Sequence, residues 1–213
     1  MGTYEQGILG PFSGKVGTVV GANWRGKNVM RSRPKKSNRI PTEEQELQRE
    51  RFTLVVKFLG PIKSVLTRYF GQPVSFRSRY NLATSYHLKD AVKLDNGAYI
   101  IQYNKVLISK GELQGIANPV VTLKPNAEIL LDWTDNSGQG LALPNDELLV
   151  VIYSPDLDVF ELFEHTAVRD QGTVALSAAS FFVGLKVHCW AGFVDDERKL
   201  SSLSIYLGEL QLE

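Results

Sequence analysis

A chain of 213 residues and 23.8 kDa, 43% apolar and 22% charged, has room for one large domain or two small ones with a real core. That balance excludes a disordered, collagen-like or disulfide-scaffold protein, and a single cysteine, Cys189, excludes both an internal disulfide and a paired-thiol metal site. No run approaches the roughly 18 apolar residues that span a membrane. The N-terminal stretch MGTYEQGILG has neither the basic nor the long apolar region of a signal peptide, so cytoplasmic synthesis is expected.

The net charge of +1 conceals a strong asymmetry. Residues 1–93 hold 17 Lys and Arg against 6 Asp and Glu, whereas residues 94–213 hold 7 against 17. The densest basic stretch carries Lys15, Arg25, Lys27, Arg31, Arg33, Lys35, Lys36 and Arg39 with no acid among them. A polyanion, or the acidic half of another copy, suits such a segment.

The first 41 residues read as a glycine-punctuated arm and β-hairpin. Lys15–Gly21 and Asn28–Arg33 have strand content on either side of a turn at ANWRGK. Alternation in the second strand predicts an apolar face and an opposite face carrying Arg31 and Arg33. Pro34 and Pro41 then bracket an extended, exposed basic linker.

Thr42 and Gln45 make a capping-box pattern, with Glu43 and Glu44 where the helix dipole favours negative charge. The helix it starts carries an apolar stripe of Leu47, Leu54, Val55 and Phe58, widened by Phe52, Val56 and Leu59. After Gly60–Pro61, the residues Ile62, Val65, Leu66, Tyr69 and Phe70 continue such a face in a second helix, and Phe76–Lys93 predicts a third.

From Asp95 the apolar period changes to two. Strands are predicted at residues 98–103, 105–109, 120–123, 128–134, 147–154, 159–165, 172–176, 185–194 and 203–212, separated by DNG, DNSGQG, SPD and DDERK turns. This spacing is that of an antiparallel sandwich. Whether the helices pack on that sandwich or stand apart stays open in the sequence, because residues 93–96 suit either a tight turn or a hinge.

Residues 115–213, with ILLDWTDNSG, LLVVIYS and GLKVHCWAGFVDDERKLSSLS in order, resemble fibronectin type III domains. GILGPFSGKVGTVVGANWRGKNVMRSRPKK followed by PTEEQELQRERF resembles a family of uncharacterised bacterial proteins, also seen in prophage-like settings. The likeness extends through WTDNSG to the closing LGELQLE. It implies a bacterial or phage-related protein with a helix-bearing N-terminal half and a C-terminal sandwich, and it implies no activity.

Catalytic patterns are weak throughout. His188 and Cys189 are adjacent on a predicted strand, so they point to opposite faces and cannot share a proton. His87 and His165 have no metal-site spacing and read as surface or boundary residues. GPFSGKVG lacks the spacing and the Ser or Thr of a phosphate loop. Asp132, Asp135 and Asn136 lack calcium-loop spacing, and the acid pairs Asp156/Asp158 and Asp195/Asp196 lie in predicted turns.

The reading is therefore an α+β chain. A basic arm and hairpin (1–41) and a helical segment (42–94) precede an antiparallel immunoglobulin/fibronectin type III-like β-sandwich (95–213). The expected function is a non-enzymatic structural or assembly subunit of a phage-like particle or filament, its N-terminal arm making contacts with other subunits. The alternative is sequence-tolerant nucleic-acid binding by residues 15–39, with Trp24 stacking on a base. The assigned partner-binding residues are Lys15, Trp24, Arg25, Lys27, Arg31, Arg33, Lys35, Lys36 and Arg39. No catalytic residue, cofactor, metal ligand or small-molecule substrate is assigned, and the expected location is the cytoplasm at synthesis, then a virion or other particle.

Overall fold

The computed structural model describes residues 2–4, 10–24, 26–35, 39–73 and 77–213, and the chain divides into two units, 1–43 and 44–213. The first is a four-stranded antiparallel sheet of β1 (Gly2–Tyr4), β2 (Phe12–Val16), β3 (Val19–Trp24) and β4 (Lys27–Ser32), in that order. The strand expected from Lys15 to Gly21 is broken. Gly17 adopts φ +57° and, with Thr18, makes a two-residue connection that pairs Val16 with Val19. The second connection closes the Trp24–Lys27 pair with Gly26 at φ +76°; there the Asn23 side chain accepts from the Gly26 amide at 3.0 Å. Gly21 cannot be replaced without movement, because Phe12 ring carbons lie 2.7 and 2.8 Å from where its Cβ would stand.

The second unit begins with α1 (Glu43–Leu59), α2 (Lys63–Tyr69) and α3 (Arg79–Asp90). Only the last turns of α1 bury residues, Val55, Phe58 and Leu59; Phe52, expected to widen the apolar stripe, is half exposed. The third helix is shorter than predicted. Ser78 caps its start by accepting from the Asn81 amide at 3.2 Å, and its expected last residues, Val92 and Lys93, belong instead to β5 (Val92–Asp95). Phe76, its expected first residue, lies outside the described residues. β5 pairs with β6 (Ala98–Ile101) across Asn96 and Gly97, both at positive φ, as an Asn-Gly turn demands.

The strand expected at 105–109 is absent. A 3₁₀ turn occupies Tyr103–Lys105, and Val106 and Ile108 then run buried through the interior. Their backbone neighbours are served by hydroxyls instead of a sheet ladder: Ser204 Oγ accepts from the amides of Ile108 (2.9 Å) and Ser109 (3.3 Å), while Ser109 Oγ donates to Ser202 O at 2.9 Å.

The remaining strands are β7 (Ala117–Lys124), β8 (Glu128–Thr134), β9 (Glu147–Ser154), β10 (Val159–Val168), β11 (Thr173–Ser177), β12 (Lys186–Asp195), β13 (Leu200–Ser201) and β14 (Ile205–Gln211). They form an antiparallel sheet in the order β11-β8-β7 and a five-stranded sheet in which β9 lies between β10 and β12, with β13 and β14 both on β12. Ile129, Leu131 and Trp133 of β8 share one core with Leu148, Val150 and Ile152 of β9 and with Val187, Cys189, Ala191 and Phe193 of β12. The two sheets are thus packed face to face. On its other face the five-stranded sheet buries Leu149, Val151, Tyr153, Trp190 and Val194 against helix residues such as Leu59, Ile62, Val65 and Leu66. The helices therefore do pack on the sandwich, and β9 and β12 are covered on both sides, which is why LLVVIY and CWAGFV read as continuous apolar runs.

An ion pair, Arg169 with Asp146, is buried in this unit. Arg169 has no exposed surface; its Nε donates to Asp146 at 3.0 Å, its Nη2 to Gln114 O at 2.8 Å and its Nη1 to Asn136 Oδ1, over the Phe193 ring. Trp133 Nε1 donates to the Arg169 carbonyl at 2.7 Å. WTDNSG is thereby accounted for structurally: Trp133 and Asn136 hold Arg169, and Asp135 caps its own turn through the Ser137 amide.

Candidate functional site

Register and alternation decide which cations of the N-terminal sheet share a face. Lys15, Val20 and Arg31 are directly opposed in one cross-strand row, Ala22 opposes Val29, and Trp24 opposes Lys27. One face therefore carries Lys15, Lys27 and Arg31 together with Trp24 and Val29, all exposed, with Trp24 at 58%. This departs from the predicted separation of an apolar and a basic face: Val29 and Arg31 are two residues apart and so point the same way, while Met30, 73% exposed, points to the other. Beyond β4 the Arg33 amide donates to Thr18 O at 2.8 Å, and Arg33, Pro34 and Lys35 line an open depression of about 490 Å³ with Thr18 and Ser32. Arg39 is exposed farther along the chain. Arg25 and Lys36, assigned to the same surface, lie outside the described residues.

The sheet has almost no interior of its own. Gly21 is its one buried residue among those described, and every residue of β4 is exposed. A sheet needs an apolar face covered by something to be stable in water, and two-sided exposure of Val16, Val19, Val29 and Met30 leaves that condition unmet among the described residues of the unit.

A second cluster, in the other unit, has no signal in the sequence because its members are distant along the chain. β10 carries an irregularity between Glu164 and Val168, and within it His165 adopts φ +58°. The imidazole Nδ1 contacts Glu147 at the start of β9, and Nε2 lies 3.9 Å from both Glu164 Oε2 and Asp196 Oδ2. Arg68 of α2 pairs with Glu164 and approaches Asp196 at 3.9 Å, while the Tyr69 hydroxyl donates to Asp196 Oδ1 at 2.7 Å. Burial, then that hydrogen bond, pushes the Tyr69 phenol well above its ordinary range, so it stays a donor. One imidazole nitrogen and one oxygen each of Glu147 and Asp196 all lie within 4.8 Å of one another. His165, read from the sequence as a boundary residue, is half exposed at the centre of this group.

The other titratable candidates serve structure. His188 Nδ1 sits 2.7 Å from the Tyr206 hydroxyl and its ring stacks on Tyr103 at 3.9 Å, whereas Cys189 lies on the opposite face in the inter-sheet core. Burial pushes the Cys189 thiol up to about 12, which leaves it without thiolate character. His87 Nδ1 is 2.8 Å from Ala83 O and its Nε2 accepts from the Leu107 amide at 3.3 Å; burial lowers it to about 4. Of the acid pairs, Asp195 binds Arg198 while Asp196 turns to Tyr69, and Asp158 is held by Lys57 at 2.8 Å and Tyr153 at 3.0 Å. Gly14 and Lys15 of the apparent phosphate loop lie in β2. No helix among the described residues is long and apolar enough to cross a membrane.

No curated protein matches the chain. Among solved structures it is similar to the fn3 domain of the human collagen alpha-1(XX) chain (12% identity, 49% of this chain and 88% of that one, TM-score 0.35) and to the FN5 domain of Drosophila Lar (9%, 48% and 96%, TM-score 0.34). The fn3 domain of human contactin 1 is similar at 7% identity, covering 48% of this chain and 78% of that one, with TM-score 0.34. A family model matches residues 11–208, from the second strand of the N-terminal sheet to the last strand of the five-stranded one, and so the chain belongs to the Family of unknown function (DUF6266).

Proposed function

We propose that the chain is a non-enzymatic assembly subunit that uses its N-terminal sheet for contacts with other subunits. The observation that carries this reading is the sheet of residues 2–32, which exposes Trp24, Val29 and Met30 and buries only Gly21 among its described residues. Such a sheet is completed by a surface from outside the unit. Lys15, Lys27 and Arg31 on one of its faces, with Arg33, Lys35 and Arg39 beyond, favour an acidic partner surface, and the excess of 17 acids over 7 bases in residues 94–213 makes another copy that partner. Head-to-tail contacts of this kind close into a ring or extend into a filament, of which a phage-like particle component is one form. The fibronectin type III-like sandwich is then the scaffold that repeats.

The test is light scattering after size-exclusion chromatography, at low and high salt and with absorbance at two wavelengths. Full-length protein should elute well above 23.8 kDa without nucleic acid, and deletion of residues 2–39 should leave a folded monomer. A truncated protein that still assembles overturns the reading. A monomer that holds nucleic acid at low salt and sheds it at high salt replaces it with polyanion binding by the same cations.

A further inference from the structure

The geometry points to a site for one divalent transition-metal ion of the zinc type at the irregular segment of β10, with His165, Glu147 and Asp196 as protein ligands. This inference is independent of the assembly reading, since it concerns only the second unit.

The donor set selects the class of ion. An imidazole with two carboxylates suits zinc and its neighbours, whereas calcium and magnesium take all-oxygen sites with more ligands. The donor atoms lie within 4.8 Å of one another; to meet an ion at roughly 2.0–2.2 Å from each, the Asp196 oxygen moves in while Glu147, now in direct contact with Nδ1, moves out. Side-chain exposures of 43% for His165, 35% for Glu147 and 47% for Asp196 leave room for that movement. Three carboxylates, Glu147, Glu164 and Asp196, stand around the imidazole, and Arg68 is the cation that pairs with two of them.

The ligands are also supported from outside the triad. Tyr69 of α2 donates to the Asp196 oxygen that does not face His165, and so orients the other one. An open depression of about 410 Å³, lined by Arg68, Tyr69, Arg79, Lys199 and Asp196, gives solvent a path to the group and leaves a fourth coordination position reachable. Arg68, Arg79 and Lys199 oppose a cation there, which weakens binding.

Zinc is titrated into the full chain, stripped by chelator beforehand, against a chromogenic competitor, and cobalt-induced shifts of the histidine ring signals are followed by NMR. Wild type should bind one equivalent, with the largest shifts on His165. Asn tolerates positive φ, so His165→Asn keeps the backbone, and it should weaken binding at least tenfold; Asp196→Asn should do the same. Arg68→Gln should tighten binding several-fold by removing the competing cation. Absence of saturable one-to-one binding, or a His165→Asn protein that binds as wild type does, overturns the site.

Discussion

The two larger sheets of this protein are built from similar strands and meet opposite fates. The N-terminal sheet leaves Trp24 at 58% exposure and Met30 at 73%, and among its described residues only Gly21 is buried. The five-stranded sheet has Trp190 at 0% and is covered on one face by β8 and on the other by the helices. Burial at roughly 25 cal/mol per Å² of apolar surface is the main source of folding stability. The second unit therefore buries the apolar surface that stabilises it, while the described residues of the first leave much of theirs exposed.

That contrast can be broken first where the second unit is most committed. Arg169→Leu leaves Asp146 buried with Arg198 as its remaining cation and the Leu143 amide as a donor, and strands the oxygens of Asn136 and Gln114; urea denaturation should show a loss of about 3–5 kcal/mol. The next largest effect is a pH dependence. His87 is lowered from 6.5 to about 4 by burial, so the unfolded chain takes up its proton before the folded chain does. Stability from this group is complete above the unfolded value and is lost as pH falls from 6.5 towards 4, by about 3 kcal/mol. His87→Asn should flatten the slope across that window when the two proteins are compared. At the small end, Met30→Ser in the exposed sheet should change the melting stability of the monomer by no more than about 0.5 kcal/mol. A large loss there would mean that the N-terminal sheet is covered within a single copy.

Much of the local structure is legible along the chain. Asn96–Gly97 announces its hairpin, and β8 and β9 fall at the predicted residues, β8 by its alternation and β9 as an apolar run. The failures are of two kinds. Gly17 was read through as part of a strand because valines flank it, yet its positive φ makes it a turn. Residues 105–109 have strand composition, but turn carbonyls, His87 Nε2 and the Ser204 hydroxyl rather than a neighbouring strand take up their amides. At the candidate sites, Lys15, Lys27 and Arg31 stood out as a charge run, whereas His165, Glu147, Asp196 and Tyr69 are scattered over more than a hundred residues and share no spacing.

By itself the sequence determined what depends on a residue and its near neighbours: turns at glycine and asparagine, the start of the first helix after Thr42, strands from alternation, and the division into a basic and an acidic half. Only the tertiary structure decided that the helices cover the second face of the five-stranded sheet, that Arg169 is buried with Asp146, and that an irregularity in β10 turns His165 between its neighbour Glu164 and carboxylates from two other segments. The reason is physical. Backbone preferences act over a few residues, but which faces meet is settled by long-range complementarity of shape and charge, and that information is not local to any stretch of the chain.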